Sequence, residues 1–213
     1  MTKQYSNYPP PRKANECIET ASRAFQLRSL FDDFWSEGEL ALLYGTSGVG
    51  KSILAVQIAD AIARGRALPG FEMPAHRMKV LYADLDMSEK QFRPRCIDGE
   101  NKHEFPTTFF RDRPPSLDKL TDWVREMIVS GGFRVVIIDS LASLKLSADG
   151  VRETLPVMRG LKKIVDELDV SILVVTDSEP PAKNATASEA DLRRSRILCS
   201  TVDSSFALAA NIN

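Results

Sequence analysis

Residues 40–63 read LALLYGTSGVGKSILAVQIADAIA. The run LALLY at 40–44 is apolar and short, as a buried strand is, and residues 52–63 carry Ala, Ile and Leu at helical spacing. Between them, Gly45-Thr46-Ser47-Gly48-Val49-Gly50-Lys51-Ser52 is a full G-x-x-x-x-G-K-S in the strand-then-helix setting that this motif requires. Its glycines let the backbone wrap tightly, so that successive N–H groups converge on phosphate. The helix that begins at Lys51 adds the partial positive charge of its N-terminus. Lys51 is expected to reach the β- and γ-phosphates of a nucleotide, and the Ser52 hydroxyl to ligate Mg²⁺. The bland alternative is a glycine-rich turn that happens to join a strand to a helix.

Outward from this unit, strand and helix alternate. Residues 80–83 (VLYA) read as a second strand, followed by a polar helix over 89–97. Residues 107–110 suggest a short extra strand, and 117–129 a helix stopped by Gly131 and Gly132. VVII at 135–138 and ILVV at 172–175 are uninterrupted apolar runs, the mark of strands buried on both faces. A helix over 151–168 separates them, with Pro156 in its first turn or kinking it. The stretch DSEPPAKNATASEAD (177–191) reads as a mobile loop, residues 192–199 as one or two helical turns, and 206–210 as a last strand. This alternation predicts an α/β domain over 31–213, with a mostly parallel sheet and helices on both faces. Ahead of it, residues 1–30 form an N-terminal tail and arm. Pro9, Pro10 and Pro11 mark the tail as extended, and Ile18, Ala21, Phe25 and Leu30 give an uneven helical pattern over 16–30. Phe31, Phe34 and Trp35 make an aromatic knot, read as a lid under the sheet edge.

Two further segments carry carboxylates. Val135-Val136-Ile137-Ile138-Asp139-Ser140 is an apolar strand that ends in aspartate. Placed beside the P-loop strand, its carboxylate would hold Mg²⁺ through water. In Leu81-Tyr82-Ala83-Asp84-Leu85-Asp86-Met87-Ser88, two carboxylates lie two residues apart, on one face if the chain is still extended. One of them can orient an attacking water as general base. Equally, Asp84 can be structural and Ser88 can cap the next helix. His76 and His103 lie in polar loops and read as solvated. Arg193, Arg194 and Arg196 form a basic cluster that fits nucleic-acid phosphates or simply solvent.

Composition narrows the classes. A chain of 213 residues, 43% hydrophobic, suits one α/β domain with a short appendage. Its formal net charge of -1 excludes a general pull toward nucleic acid or anionic membrane, so any such contact must be a local patch. Cys17, Cys96 and Cys199 are far apart and lack CxxC spacing, against a disulfide framework and a zinc site. No apolar run approaches the ~20 residues of a membrane helix. MTKQYSNYPPPRK lacks the apolar segment of a signal peptide, and the expectation is a cytoplasmic protein.

These residues resemble the RecA-like ATPases, specifically the branch of RepA-type and DnaB-type hexameric helicase domains often labelled AAA family ATPases. The likeness runs from about residue 30 to residue 209. FWSEGELALLYGTSGVGKSILAVQIA looks like that branch's entry segment and Walker A motif, and VLYADLDMSEKQFRPR like its strand–carboxylate–helix unit. VVIIDS looks like its Walker B, SILVVTDS like its sensor strand, and DLRRSRILCSTVDSSFALA like the stretch near the end of its fold. The resemblance implies a RecA-like three-layer P-loop core that binds ATP with Mg²⁺. It also implies a homo-oligomer, hydrolysis tied to DNA replication, repair or mobile-element maintenance, and single-stranded DNA as a partner. By the same resemblance Lys51 and Ser52 take the phosphate and Mg²⁺ roles and Asp139 the Walker B role. Asp86 falls at the catalytic carboxylate and Arg95 at the arginine that packs on adenine. The loops after Ser140 and after Asp177 fall where such proteins face DNA.

The sequence departs from that pattern in four places. Asp86 replaces the usual Glu, and Arg194 the usual Gly before a Ser. Asp177 stands where His or Gln commonly senses the γ-phosphate, and a carboxylate there repels phosphate. The sequence also ends, at Asn213, ahead of the strand that carries a Lys-x-Arg finger. These departures sustain a reading from a different class: an ATP-gated regulatory or binding protein with little or no hydrolysis. A small-molecule kinase is a poorer reading, because residues 177–191 hold one basic residue, Lys183, where such a lid carries several arginines.

Overall fold

The computed structural model describes residues 13–16, 28–85, 87–92, 97–98, 101–102, 104–116, 118–141, 148–177 and 200–209. The elements in chain order are β1 (Ser29–Phe31), β2 (Trp35–Ser36), β3 (Leu40–Gly45), α1 (Lys51–Arg64), β4 (Val80–Asp84) and the one-turn helix α2 (Glu89–Phe92). There follow β5 (Ile97–Asp98), β6 (Asn101–Lys102), β7 (Phe109–Asp112), α3 (Leu120–Gly131), β8 (Val135–Asp139), α4 (Ala148–Leu168), β9 (Ser171–Asp177) and β10 (Ser204–Ala207).

Six strands join in the order β10-β3-β9-β8-β4-β7, every neighbouring pair parallel. Side chains alternate across a strand, so each strand feeds two cores. Leu40, Leu42, Leu81, Ala83, Val136, Ile138, Ile172 and Val174 meet α3 and α4 through Leu120, Val124, Met158 and Leu161. The intervening Ala41, Leu43, Tyr82, Val135, Ile137, Leu173 and Val175 meet Ala55, Ile58, Ala59 and Ile62 of α1. The result is the three-layer α/β core expected from the alternation. The helix α1 stops at Gly65, whose φ of 63° is the left-handed closing conformation that glycine adopts without strain.

Several expectations shift. The Asp139 strand does not lie beside the P-loop strand, because β9 is inserted between them. Long crossovers leave sheet order open, and the seven-residue β9 takes the interior place, with all but its last residue buried. Of the segment 16–30, expected as a short helix or an arm packed on the core, Ser29 and Leu30 belong to β1, which pairs antiparallel with β2, and Leu30 is buried; residues 17–27 lie outside the described residues. The aromatic knot packs at the β10 edge, where the ring of Phe31 meets those of Phe34, Phe71 and Phe206. The helix begun at Glu89 is described as far as Phe92, residues 93–96 lie outside the described residues, and Ile97, expected at its end, sits in β5. The helix α4 begins ahead of the expected start, so Pro156 lies inside it, not in its first turn. The last strand falls two residues early, at Ser204–Ala207. Within the described residues no helix is long and apolar enough to cross a membrane.

The two-sided burial has a direct consequence for α1. Ile62 is fully buried against the sheet, whereas Ile53 on the same helix is 49% exposed. Ile62→Ala should cost about 2–5 kcal/mol of unfolding free energy. Ile53→Ala should stay within about 0.5 kcal/mol. Urea denaturation measures both, and equal losses would contradict this packing.

Candidate functional site

The carboxyl ends of β3, β4, β8 and β9 share one edge of the sheet, because Gly45 pairs with Asp177 and Asp84 with Asp139 in register. Open α/β sheets place their ligands at that edge. Here the chain leaving β3 wraps into α1. Gly48 and Gly50 have φ of 84° and 101°, a region where an L side chain is strained, and a Cβ on Gly48 would meet no atom. Gly45 is required for a different reason: the carbonyl oxygen of Leu208, leaving β10, occupies the place of its Cβ. The Leu208 N–H donates to the Tyr44 carbonyl at 2.9 Å, which fixes that approach. Ser47 and Gly48 are exposed at the loop's crest, while Thr46 and Val49 are half-buried.

The first turn of α1 has no acidic side chain, and Gly50 supplies no side-chain cap. Its N-terminal N–H groups therefore meet no built-in anion of the helix itself, as a phosphate seat requires. Lys51 lies just beneath, 5% exposed. Its ammonium donates to the Gly45 carbonyl at 2.9 Å and the Thr46 carbonyl at 2.8 Å, and pairs with Asp177 Oδ1 at 2.6 Å. The sequence pattern placed Asp177 near phosphate; the fold places it on the P-loop lysine itself.

Ser52 Oγ donates to Asp139 Oδ1 at 3.1 Å, and the Tyr82 hydroxyl donates to Asp139 Oδ2 at 2.5 Å. Asp139 is thus buried and held by both carboxylate oxygens. A hydroxyl and a carboxylate side by side are the hard oxygen donors that Mg²⁺ takes. Among the described residues no three His, Cys, Asp or Glu cluster to enclose a metal. Mg²⁺ at this point would complete its shell with phosphate oxygens and water, as that ion commonly does. The donor set fits.

Asp84 resolves to the structural alternative. Its buried carboxylate accepts the Met87 N–H at 2.7 Å on Oδ1, and Arg111 Nε and Nη2 at 3.0 and 2.7 Å on Oδ2. Arg113 Nε donates to the Asp84 carbonyl at 3.0 Å, and both arginines reach the Met87 carbonyl. The Arg111 guanidinium also lies 4.5 Å from the centre of the Phe92 ring. Together these contacts hold Asp84 and Met87 to one another and to β7. The Ser88 carbonyl accepts the Phe92 N–H at 3.0 Å, the bond that opens α2. His76 is largely exposed, with Glu37 Oε1 3.9 Å away, in keeping with a solvated residue.

Asp86, Arg95, His103, Arg193, Arg194 and Arg196 lie outside the described residues, as do the loops after Ser140 and after Asp177. Sequence reasoning missed Tyr82, Arg111 and Arg113. Tyr82 had one signal, a hydroxyl-bearing ring in a fully buried strand, where such a group needs a partner. The arginines had only R-x-R at the end of an edge strand.

A family model described as an AAA domain matches residues 9–179 of the chain, a span that takes in the P-loop, β4, β8 and β9. The chain is also similar to the DNA repair protein RAD51 of Mycosarcoma maydis, 26% identical over 199 residues, covering 85% of this chain and 56% of that protein. The chain thus spans little more than half the length of the curated relative it matches.

If Asp84 anchors the turn, then Arg111→Ala strands a buried carboxylate without its main cation and should cost about 3 kcal/mol or more of stability. Arg111→Lys should recover only part of that loss, since one ammonium cannot reproduce the forked pair of N–H bonds. Equilibrium unfolding decides; an Arg111→Ala protein of native stability would remove the anchor role.

Proposed function

The chain belongs to the AAA domain family and has a RecA-like P-loop core, and from that premise we propose that it binds Mg-ATP in the loop from Gly45 to Ser52 and hydrolyses it, as an oligomer acting on DNA. One observation supports the nucleotide site above the rest. Ser52 Oγ and Asp139 Oδ1, 87 residues apart in the chain, meet at 3.1 Å directly beside the buried Lys51. A structural turn between strand and helix has no need of that convergence.

In this reading the N–H groups of residues 46–52 receive the phosphates, and Lys51 reaches the β- and γ-oxygens. Ser52 and Asp139 hold Mg²⁺, with Tyr82 orienting the carboxylate. The ion, when bound, screens charge on the phosphates. Asp86 is the residue we assign to the attacking water, accepting its proton as general base. The Asp84–Arg111–Arg113 cluster steadies Asp84 and Met87, the neighbours of Asp86 in the chain, and we assign Arg95 to packing on adenine. The DNA role draws on the similarity to a DNA repair protein. With a net charge of -1, DNA contact must be local, and Arg193, Arg194 and Arg196 are the residues we assign to it. A single-stranded partner and self-association complete the proposal.

A second reading has its own observation. The ion pair between Lys51 and Asp177 places an acid against the phosphate-binding cation, which favours a protein gated by ATP with little turnover.

Steady-state ATP hydrolysis, with and without single-stranded DNA, separates the two. Turnover stimulated by DNA is the expected result, with Lys51→Ala slower by about 10²-fold or more. ATP binding without turnover, indifferent to DNA, would establish the gated reading instead. Calorimetry on Lys51→Ala should show lost ATP affinity; an unchanged affinity would overturn the P-loop assignment.

A further inference from the structure

The Lys51 ammonium has three protons and three acceptors: the carbonyls of Gly45 and Thr46, and Asp177 Oδ1. All its donor capacity is therefore engaged inside the protein. The two carbonyls are neutral, so the charge is answered by Asp177 alone among these three. The fold delivers that carboxylate deliberately: β9 runs parallel beside β3 with Asp177 opposite Gly45, and β9 places Asp177 on the α1 side of the sheet with Leu173 and Val175. Lys51 is 5% exposed, whereas the Asp177 side chain is 39% exposed. The lysine is fixed and the acid lies at the mouth of the site, so the acid is the partner that can leave.

We infer that Asp177 is an internal latch on the P-loop, an anionic stand-in for phosphate that a nucleotide must displace from Lys51. The inference rests on the reading of this loop as an ATP site. Binding is then an exchange of one anion for another at a single ammonium. A free lysine would count its whole attraction for phosphate toward affinity, whereas here the lost Asp177 pair is subtracted from it. The displaced carboxylate cannot stay close, since it would face phosphate of like charge. Nucleotide arrival is therefore coupled to the end of β9. Asp177 thereby acts as a specificity-determining residue, setting how strongly a polyphosphate must compete before the loop accepts it.

The latch and a simple repulsion of the terminal phosphate make different predictions. Lys51 must be released for any nucleotide with a β-phosphate, so removing the latch should help ADP and ATP alike. Calorimetry with each nucleotide, on the wild type and on Asp177→Asn and Asp177→Ala, reads this directly. Both variants should bind both nucleotides about tenfold more tightly, the scale of a partly exposed pair with one buried partner. A gain confined to ATP would overturn the latch in favour of repulsion. Binding that needs Lys51 but ignores both Asp177 substitutions would overturn the latch and leave the ATP site standing. A wild type that binds neither nucleotide, no better than Lys51→Ala, would remove the ATP site and the latch together. Folding of the variants is checked by urea denaturation, and Asp177→Asn, which keeps an oxygen acceptor for the buried Lys51 ammonium, carries the test should Asp177→Ala fail to fold.

Discussion

In a parallel sheet, strands paired in register finish together, and this one constraint assembles the site. Gly45 opposite Asp177 and Asp84 opposite Asp139 bring the ends of four strands to one edge, the β3–β9 pair running two residues past the β4–β8 pair. Each strand arrives there through a largely apolar interior, with no residue of β4 or β8 exposed. The polar groups therefore begin where the strands end, and all on one edge. Slide β9 by one residue against β3 and Asp177 turns to the α3–α4 side of the sheet, away from Lys51, while Leu173 and Val175 leave the α1 core. The apolar alternation that packs the two cores is thus also what fixes the charge arrangement.

That arrangement sets three charged side chains, Lys51, Asp84 and Asp139, almost out of reach of water. An uncompensated ion in that setting costs several kcal/mol, and each has been answered differently. Asp84 takes a forked arginine and a backbone N–H, a closed set that suits an anchor. Asp139 takes two neutral hydroxyls, from Ser52 and Tyr82. Hydroxyls of this kind leave a carboxylate its oxygens for a divalent cation to share. Lys51 takes two neutral carbonyls and one carboxylate that is half in solvent. The contrast separates structure from function: the anchored acid is neutralised by a fixed cation, whereas the other two charges hold partners that a ligand can replace.

Much of this was legible in the chain, because the relevant signals are local. The G-x-x-x-x-G-K-S motif needs only its own strand and helix, and both formed where apolar spacing put them. VVII at 135–138 and ILVV at 172–175 read as buried strands because neither run contains a polar residue. Sheet order was not legible, since crossover connections allow β9 to pass either inside or outside β8. The Asp139 strand was therefore placed one position too close to the P-loop strand. Asp84 could not be separated from Asp86 by pattern, because the arginine that pairs with it, Arg111, comes from β7, 27 residues away. The end of the N-terminal segment was hard to read for a related reason: its uneven helical spacing ran into Ser29 and Leu30, which belong to the strand paired with β2.

Asp177 shows how position and residue type combine. The resemblance places a γ-phosphate sensor at the end of β9, and His or Gln there can donate a hydrogen bond to phosphate. A carboxylate has no proton to donate when ionised, so the same strand end cannot do that work. What it can do is accept from Lys51, and the strand geometry holds it at 2.6 Å from that ammonium. One substitution at a fixed backbone position thus converts a group that would respond to bound phosphate into one that precedes it at the same cation. Because Lys51 is buried and cannot swing away to solvent, the competition between Asp177 and phosphate is settled at a single ammonium, and whichever anion loses has to move.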